Sequence, residues 1–163
     1  MKYTAKGKYN RHLELNDVAT GKILASLTYK GWFTREAEIS TAKGDIFTIK
    51  TSGFWRPKTT LKNREEVICE LLPKMSGKGR AELHMSNGQS YSYKHKRYFK
   101  QEYGLFSPQD QELISVVSKF SFAMMGFTYN IETNDNYKEA NDSVLILLLL
   151  YYTNHMRAKQ SAG

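Results

Sequence analysis

Apolar and polar residues alternate with a period of two through much of the first hundred positions. Ile23, Ala25, Leu27 and Tyr29 interleave with Leu24, Ser26, Thr28 and Lys30, and Ala37 and Ile39 with Glu36 and Glu38. Phe47 and Ile49 alternate with Thr48 and Lys50, and Val67, Cys69 and Leu71 with Glu66 and Glu70. Ala81, Leu83 and Met85 face away from Glu82 and His84. Successive side chains of a strand point to opposite faces, so these runs predict strands with one wet face and one dry face. Asn87-Gly88 sits between two such runs, and Asn-Gly is the strongest short hairpin signal. Thr20-Gly21, Lys43-Gly44-Asp45 and Ser76-Gly77-Lys78-Gly79 punctuate the others. The later runs 113–117 and 120–129 are more apolar, which predicts strands buried on both faces or touching a helix. The pattern amounts to about ten to twelve short strands at the spacing of a barrel or sandwich.

The periodicity then changes. Residues 144–152 read Val-Leu-Ile-Leu-Leu-Leu-Leu-Tyr-Tyr, too rich in Leu for a good strand. Asn141, Asp142 and Ser143 before them are all N-cap residues, and Asp142 complements the positive end of a helix dipole. His155, Arg157 and Lys159 place positive charge at the other end. A helix over residues 142–157 follows, with 158–163 as a tail. Its middle has no polar face, and a helix apolar all round must be enclosed. At 1.5 Å per residue it is roughly 24 Å long, while nine apolar residues fall well short of the ~20 that cross a bilayer. A barrel of ten to twelve strands is too wide for its own side chains to fill, so each feature supplies what the other lacks. The expected fold is mainly β: one domain over residues 1–163, an about twelve-stranded closed barrel around a buried hydrophobic C-terminal helix. A β-sandwich capped by the helix is the alternative.

Three stretches carry a family resemblance. Residues 17–27 (Asp-Val-Ala-Thr-Gly-Lys-Ile-Leu-Ala-Ser-Leu) and 44–50 (Gly-Asp-Ile-Phe-Thr-Ile-Lys) are similar to hairpins of the tubby C-terminal-like superfamily. The helix over 143–157 resembles that family's terminal helix in position and composition. The superfamily unites tubby C-terminal domains, LURP-one-related proteins and phospholipid scramblases. The resemblance implies a twelve-stranded barrel around a hydrophobic helix. It also implies an association with membranes, because tubby domains bind phosphoinositides through basic residues on the barrel and scramblases associate with membranes. No lipid-binding position of the family maps residue by residue onto this chain, and no acidic cluster stands for the scramblase calcium site.

Charge sharpens the functional expectation. The net charge is +8, with 20 Lys/Arg against 9 Asp/Glu in residues 1–100 and 4 against 7 in residues 101–163. Such asymmetry points to a surface that meets phosphate, in anionic lipid or nucleic acid; scattered lysines that aid solubility are the plain alternative. The single cysteine, Cys69, allows no internal disulfide, and the first residues lack the apolar core of a secretory signal. A reducing, cytoplasmic setting is the default expectation, with attachment to a membrane as a peripheral protein. Asn141-Asp142-Ser143 fits a glycosylation acceptor but reads better as a helix cap.

No catalytic or cofactor pattern emerges. The four histidines lack the i, i+4 spacing of a zinc pair, and neither a complete phosphate loop nor a nucleophile elbow occurs. Asp110 and Glu112 offer paired carboxylates, although the preceding Ser107-Pro108-Gln109 favours a solvated turn. The richest polar stretch is 91–100, where Lys94, Lys96, Arg97 and Lys100 interleave with Tyr91, Tyr93, Tyr98 and Phe99. Cations engage phosphate, and Tyr98 and Phe99 could stack on bases or sit at a lipid interface. The same spacing also describes a strand with its rings inward and its lysines in water. A second group, Arg56, Lys58 and Lys62, flanks Trp55 and Pro57. The expected function is a non-enzymatic module for anionic phospholipid headgroups or membrane surfaces, without cofactor or metal. Single-stranded nucleic-acid binding and a scaffold role are the alternatives.

Overall fold

The computed structural model describes residues 1–7, 9, 11–31, 35–74, 79–97, 100–137 and 142–162, with side chains through Ala158. Strands follow one another as β1 (Lys2–Lys6), β2 (His12–Asp17), β3 (Ile23–Tyr29), β4 (Glu36–Thr41), β5 (Ile46–Ser52) and β6 (Lys58–Asn63). The second half holds β7 (Glu66–Pro73), β8 (Arg80–Met85), β9 (Ser90–Arg97), β10 (Glu102–Phe106), β11 (Glu112–Ser121) and β12 (Gly126–Thr133). Each strand pairs antiparallel with the next, and β1 pairs with β12 to close a twelve-stranded barrel. Closure leaves no free strand edge to recruit another chain. Polar residues line the outside and apolar ones the inside, the reverse of a barrel whose outer wall faces lipid.

The interior is filled by α1 (Asp142–Ala162). Residues 144–150 are essentially inaccessible and belong to one cluster with Leu13, Leu27, Ile49, Leu71 and Leu83 from strands around the ring. A smooth apolar run can slide or turn in such a sleeve; the polar residues after it cannot. The Tyr151 hydroxyl bonds Thr51 at 2.8 Å, and Thr51 bonds Thr59 at 2.9 Å. Thr153 donates to the Leu149 carbonyl at 2.8 Å, so the Tyr93 hydroxyl, 2.6 Å away, donates to Thr153. Asn154 accepts from Tyr129 and donates to Tyr29. Buried polar groups must be satisfied, so these bonds to β3, β5, β9 and β12 fix the depth and rotation of the helix.

The structure departs from the sequence expectations in several places, one of them Val67, expected inward, which a register shift at Leu61/Lys62 pairs with Lys62 on the outer face. The helix continues to Ala162, beyond the expected end at 157, because no Gly or Pro intervenes before Gly163. Run 120–129 is not one strand, since the hairpin turn 122–125 divides it between β11 and β12. Within 113–117, Leu113 and Ile114 are buried on both sides but Val117 faces out. Ile114 faces the core, while Leu113 is the extra residue of a bulge opposite Leu105/Phe106, and the Asn134 N–H bonds its carbonyl at 2.8 Å. Ile23, expected inward, is exposed because a register shift at Leu15/Asn16 turns the start of β3 outward. Asn141 and most of the Ser76–Gly79 turn lie outside the described residues.

One backbone contact is tight enough to test. Gly7 leaves β1 buried beneath β2, and a Cβ there would lie 1.4 Å from the His12 carbonyl oxygen. The obstacle is backbone, so Gly7→Ala must push β1 and β2 apart. Chemical denaturation should show a loss of about 3 kcal/mol or more. A loss below about 1 kcal/mol would mean that this corner yields without cost.

Candidate functional site

In an up-and-down barrel, alternate connections share one rim. The connections β1–β2, β3–β4, β5–β6, β7–β8, β9–β10 and β11–β12 lie at the end where α1 leaves the barrel, here the exit rim. The remaining five, with the segment leading to α1, lie at the opposite rim. Described residues of the exit-rim connections include Arg11, Lys30, Arg35, Arg56, Lys74 and Lys100, with no Asp or Glu among them. Described residues at the opposite rim include Lys22, Lys43 and Arg64 with Asp45, Glu65, Asp110 and Asp135. The charge asymmetry is therefore between ends of the barrel.

The expected cationic stretch on β9 is largely neutralised. Lys94 and Lys96 project outward across β10. Lys94 Nζ reaches Asp110 at 2.9 Å and lies 4.2 Å from the centre of the Phe106 ring. Lys96 Nζ meets Glu112 at 2.8 Å. Arg97 approaches Glu102 at 3.8 Å. The paired carboxylates and the basic stretch thus compensate each other, because β10 brings the turn after it beside β9. Tyr93 points into the core, whereas Lys100 is exposed on the exit rim. Tyr98 and Phe99 lie outside the described residues.

The second group divides as well. Lys58 contacts Glu70 at 3.4 Å. Lys62, at the far end of β6, lines a depression of about 260 Å³ with Lys30, Glu36 and Lys50. The structure therefore does not join these residues to the β9 cations, which stand three strands away.

Arg56 and Trp55 are different. Gly53 turns the chain at φ 95°, where a Cβ would lie 3.0 Å from the Arg56 carbonyl, and this tight turn projects Phe54 and Trp55 outward. Phe54 is 83 % exposed and Trp55 90 %. Their rings meet edge to face, with centroids 5.7 Å apart. Two large rings held in water beside an exposed Arg56 cannot be explained by core packing.

Inside the exit rim, Arg157 is ringed by neutral acceptors. It donates to Ser118 Oγ at 2.8 Å and to Tyr129, Asn154 and Gln101 at 3.2 Å, with its guanidinium 3.4 Å from the centre of the Phe127 ring. No carboxylate pairs with it among the described residues. Its positive charge therefore adds to that of the rim.

Among the described residues no three His, Cys, Asp or Glu side chains are placed to hold a metal, and no helix is long and apolar enough to cross a membrane. No family model, curated protein or solved structure matches this chain.

Proposed function

We propose that this protein is a non-enzymatic module that binds anionic phospholipid surfaces, and that the exit rim makes the contact. The observation that carries the reading is the Phe54–Trp55–Arg56 tip. Aromatic rings partition to the membrane interface, and cations beside them gain about 1 kcal/mol each near anionic lipid. The concentration of Arg11, Arg35, Arg56 and Lys100 at the same end supports it. A twelve-stranded barrel around an apolar helix also supports kinship with the tubby C-terminal-like superfamily, through architecture alone.

Co-sedimentation with phosphatidylcholine vesicles, with and without phosphatidylserine, tests the proposal. Wild-type protein should bind only the anionic vesicles, and binding should weaken as salt shortens the Debye length below ~10 Å. Trp55→Ala and Arg56→Glu should each lower affinity about tenfold while leaving thermal stability unchanged, since both side chains stand in solvent. Wild-type protein that ignores anionic vesicles at low salt sinks the reading. Capture of single-stranded RNA in place of vesicles would give the exit rim to nucleic acid.

A further inference from the structure

A second apolar tip faces the first across the exit rim. The β5–β6 and β11–β12 connections are six strands apart in a ring of twelve, hence on opposite sides. Strand spacing puts them on the order of 20 Å apart. In the second connection Phe122 is 84 % exposed and Met125 56 %, with Met125 held at φ 49°. The Phe122 ring is braced edge-on by Phe120 at 5.0 Å, and Phe120 by Phe127 at 5.5 Å. The Tyr9 amide donates to the Met124 carbonyl at 3.1 Å, which brings a third exposed side chain from the β1–β2 connection beside this tip.

We infer that the barrel docks end-on, with the Phe54–Trp55 and Phe122–Met125 tips both seated in the interfacial layer of an anionic bilayer. This rests on the membrane reading above and adds the orientation and a second insertion point. Two points on opposite sides of a ring define a plane across it, and a bilayer is flat on this scale. Exposed cations lie between the tips, Arg11 and Arg35 on one side of the ring and Lys100 on the other. The charge argues against a second copy as the occupant, because two exit rims face to face would oppose like charges. Single-stranded nucleic acid stacks successive bases along one path, whereas these rings stand at two separate tips.

Tryptophan reporters and vesicles with brominated acyl chains decide the orientation. The Trp32→Phe variant retains Trp55 as its reporter. Phe122→Trp and Ala19→Trp, each made with Trp32→Phe and Trp55→Phe, report on the second tip and the opposite rim. Anionic brominated vesicles should quench the reporters at 55 and 122 and leave the one at 19 unaffected. Phe122→Ala should weaken vesicle partition about tenfold, and about a hundredfold with Trp55→Ala, because effects at distant sites add. Quenching at 55 without quenching at 122 overturns end-on docking but spares the membrane reading. Salt-sensitive binding with no quenching shows contact by charge alone and overturns insertion. If wild-type protein binds no vesicle, the membrane reading fails and the orientation with it; self-association abolished by Phe122→Ala would then make a second copy the occupant.

Discussion

Deletion of residues 142–163 is expected to yield a chain that aggregates instead of folding. The barrel interior is lined by fully buried Leu13, Leu15, Leu27, Ile39, Ile49, Leu61, Leu71, Leu83 and Leu105, all in one cluster with the helix. Without α1 these residues would face an empty lumen. A ring of twelve strands cannot collapse far enough to close it while keeping its hydrogen-bond ladders. Each apolar side chain left without neighbours forfeits both its transfer energy and its dispersion contacts. Point variants test the same claim in a chain that still folds. Leu147→Ala and Leu148→Ala should each cost about 2–5 kcal/mol in denaturant titrations, the range for a buried leucine. Adjacent residues point to different walls, so the pair should exceed either alone and approach the whole stability of an ordinary domain, about 5–15 kcal/mol. A truncated protein that stays monomeric and cooperatively folded would show that the helix is an accessory. Losses below about 0.5 kcal/mol for both leucines would place them outside the core.

The barrel and its helix were legible because they rest on local signals. Period-2 alternation marks a strand wherever one side is wet, and nine apolar residues flanked by caps and charge mark an enclosed helix. The site was legible only in fragments. Lys94, Lys96 and Arg97 look like a phosphate patch in sequence. Their neutralisation depends on Glu102 of β10, Asp110 of the turn after it and Glu112 of β11, which the fold brings beside them. The exit rim escapes a linear reading for a different reason: its members occur in every second connection. Among the described residues these connections hold Tyr9, Phe54, Trp55 and Phe122, with Arg11, Lys30, Arg35, Arg56, Lys74 and Lys100 and no acidic residue. The intervening segments 18–22, 42–45, 64–65, 86–89 and 107–111 contain no aromatic residue. The contrast between odd and even connections emerges only when strand boundaries are assigned and the connections are sorted by rim. Trp55 and Arg56 stand out in the sequence because they are neighbours there; Phe54, Phe122, Met125 and Tyr9 are related to one another only through the closed ring.

Alkaline pH should unfold the protein between about pH 10 and pH 12, as its buried phenols are forced to ionise. Burial pushes the phenols of Tyr151 and Tyr152 up to about 12 from an ordinary value of 10.0, and it also raises Tyr29, Tyr93 and Tyr129. The folded state therefore holds these protons more tightly than the unfolded chain. Below about pH 10 the phenols are neutral in both states, and their full contribution is present. Above it the unfolded chain releases protons that the folded one retains, so stability falls with pH. The loss runs from about 10 to about 12 for Tyr151 and Tyr152. A two-unit shift is worth about 3 kcal/mol, so these two residues together remove an amount comparable to the stability of a small domain. Thermal unfolding followed across this window should show a steep drop in Tm. Tyrosinate absorbance from the buried phenols should rise in a cooperative step with unfolding. Tyr151→Phe isolates the cause, because it removes one phenol and leaves Thr51 bonded to Thr59. That variant should lose about 3 kcal/mol less than wild type between neutral and alkaline pH. An equal loss in both proteins would trace alkaline unfolding to the surface lysine pairs and not to the tyrosines that hold the helix in register.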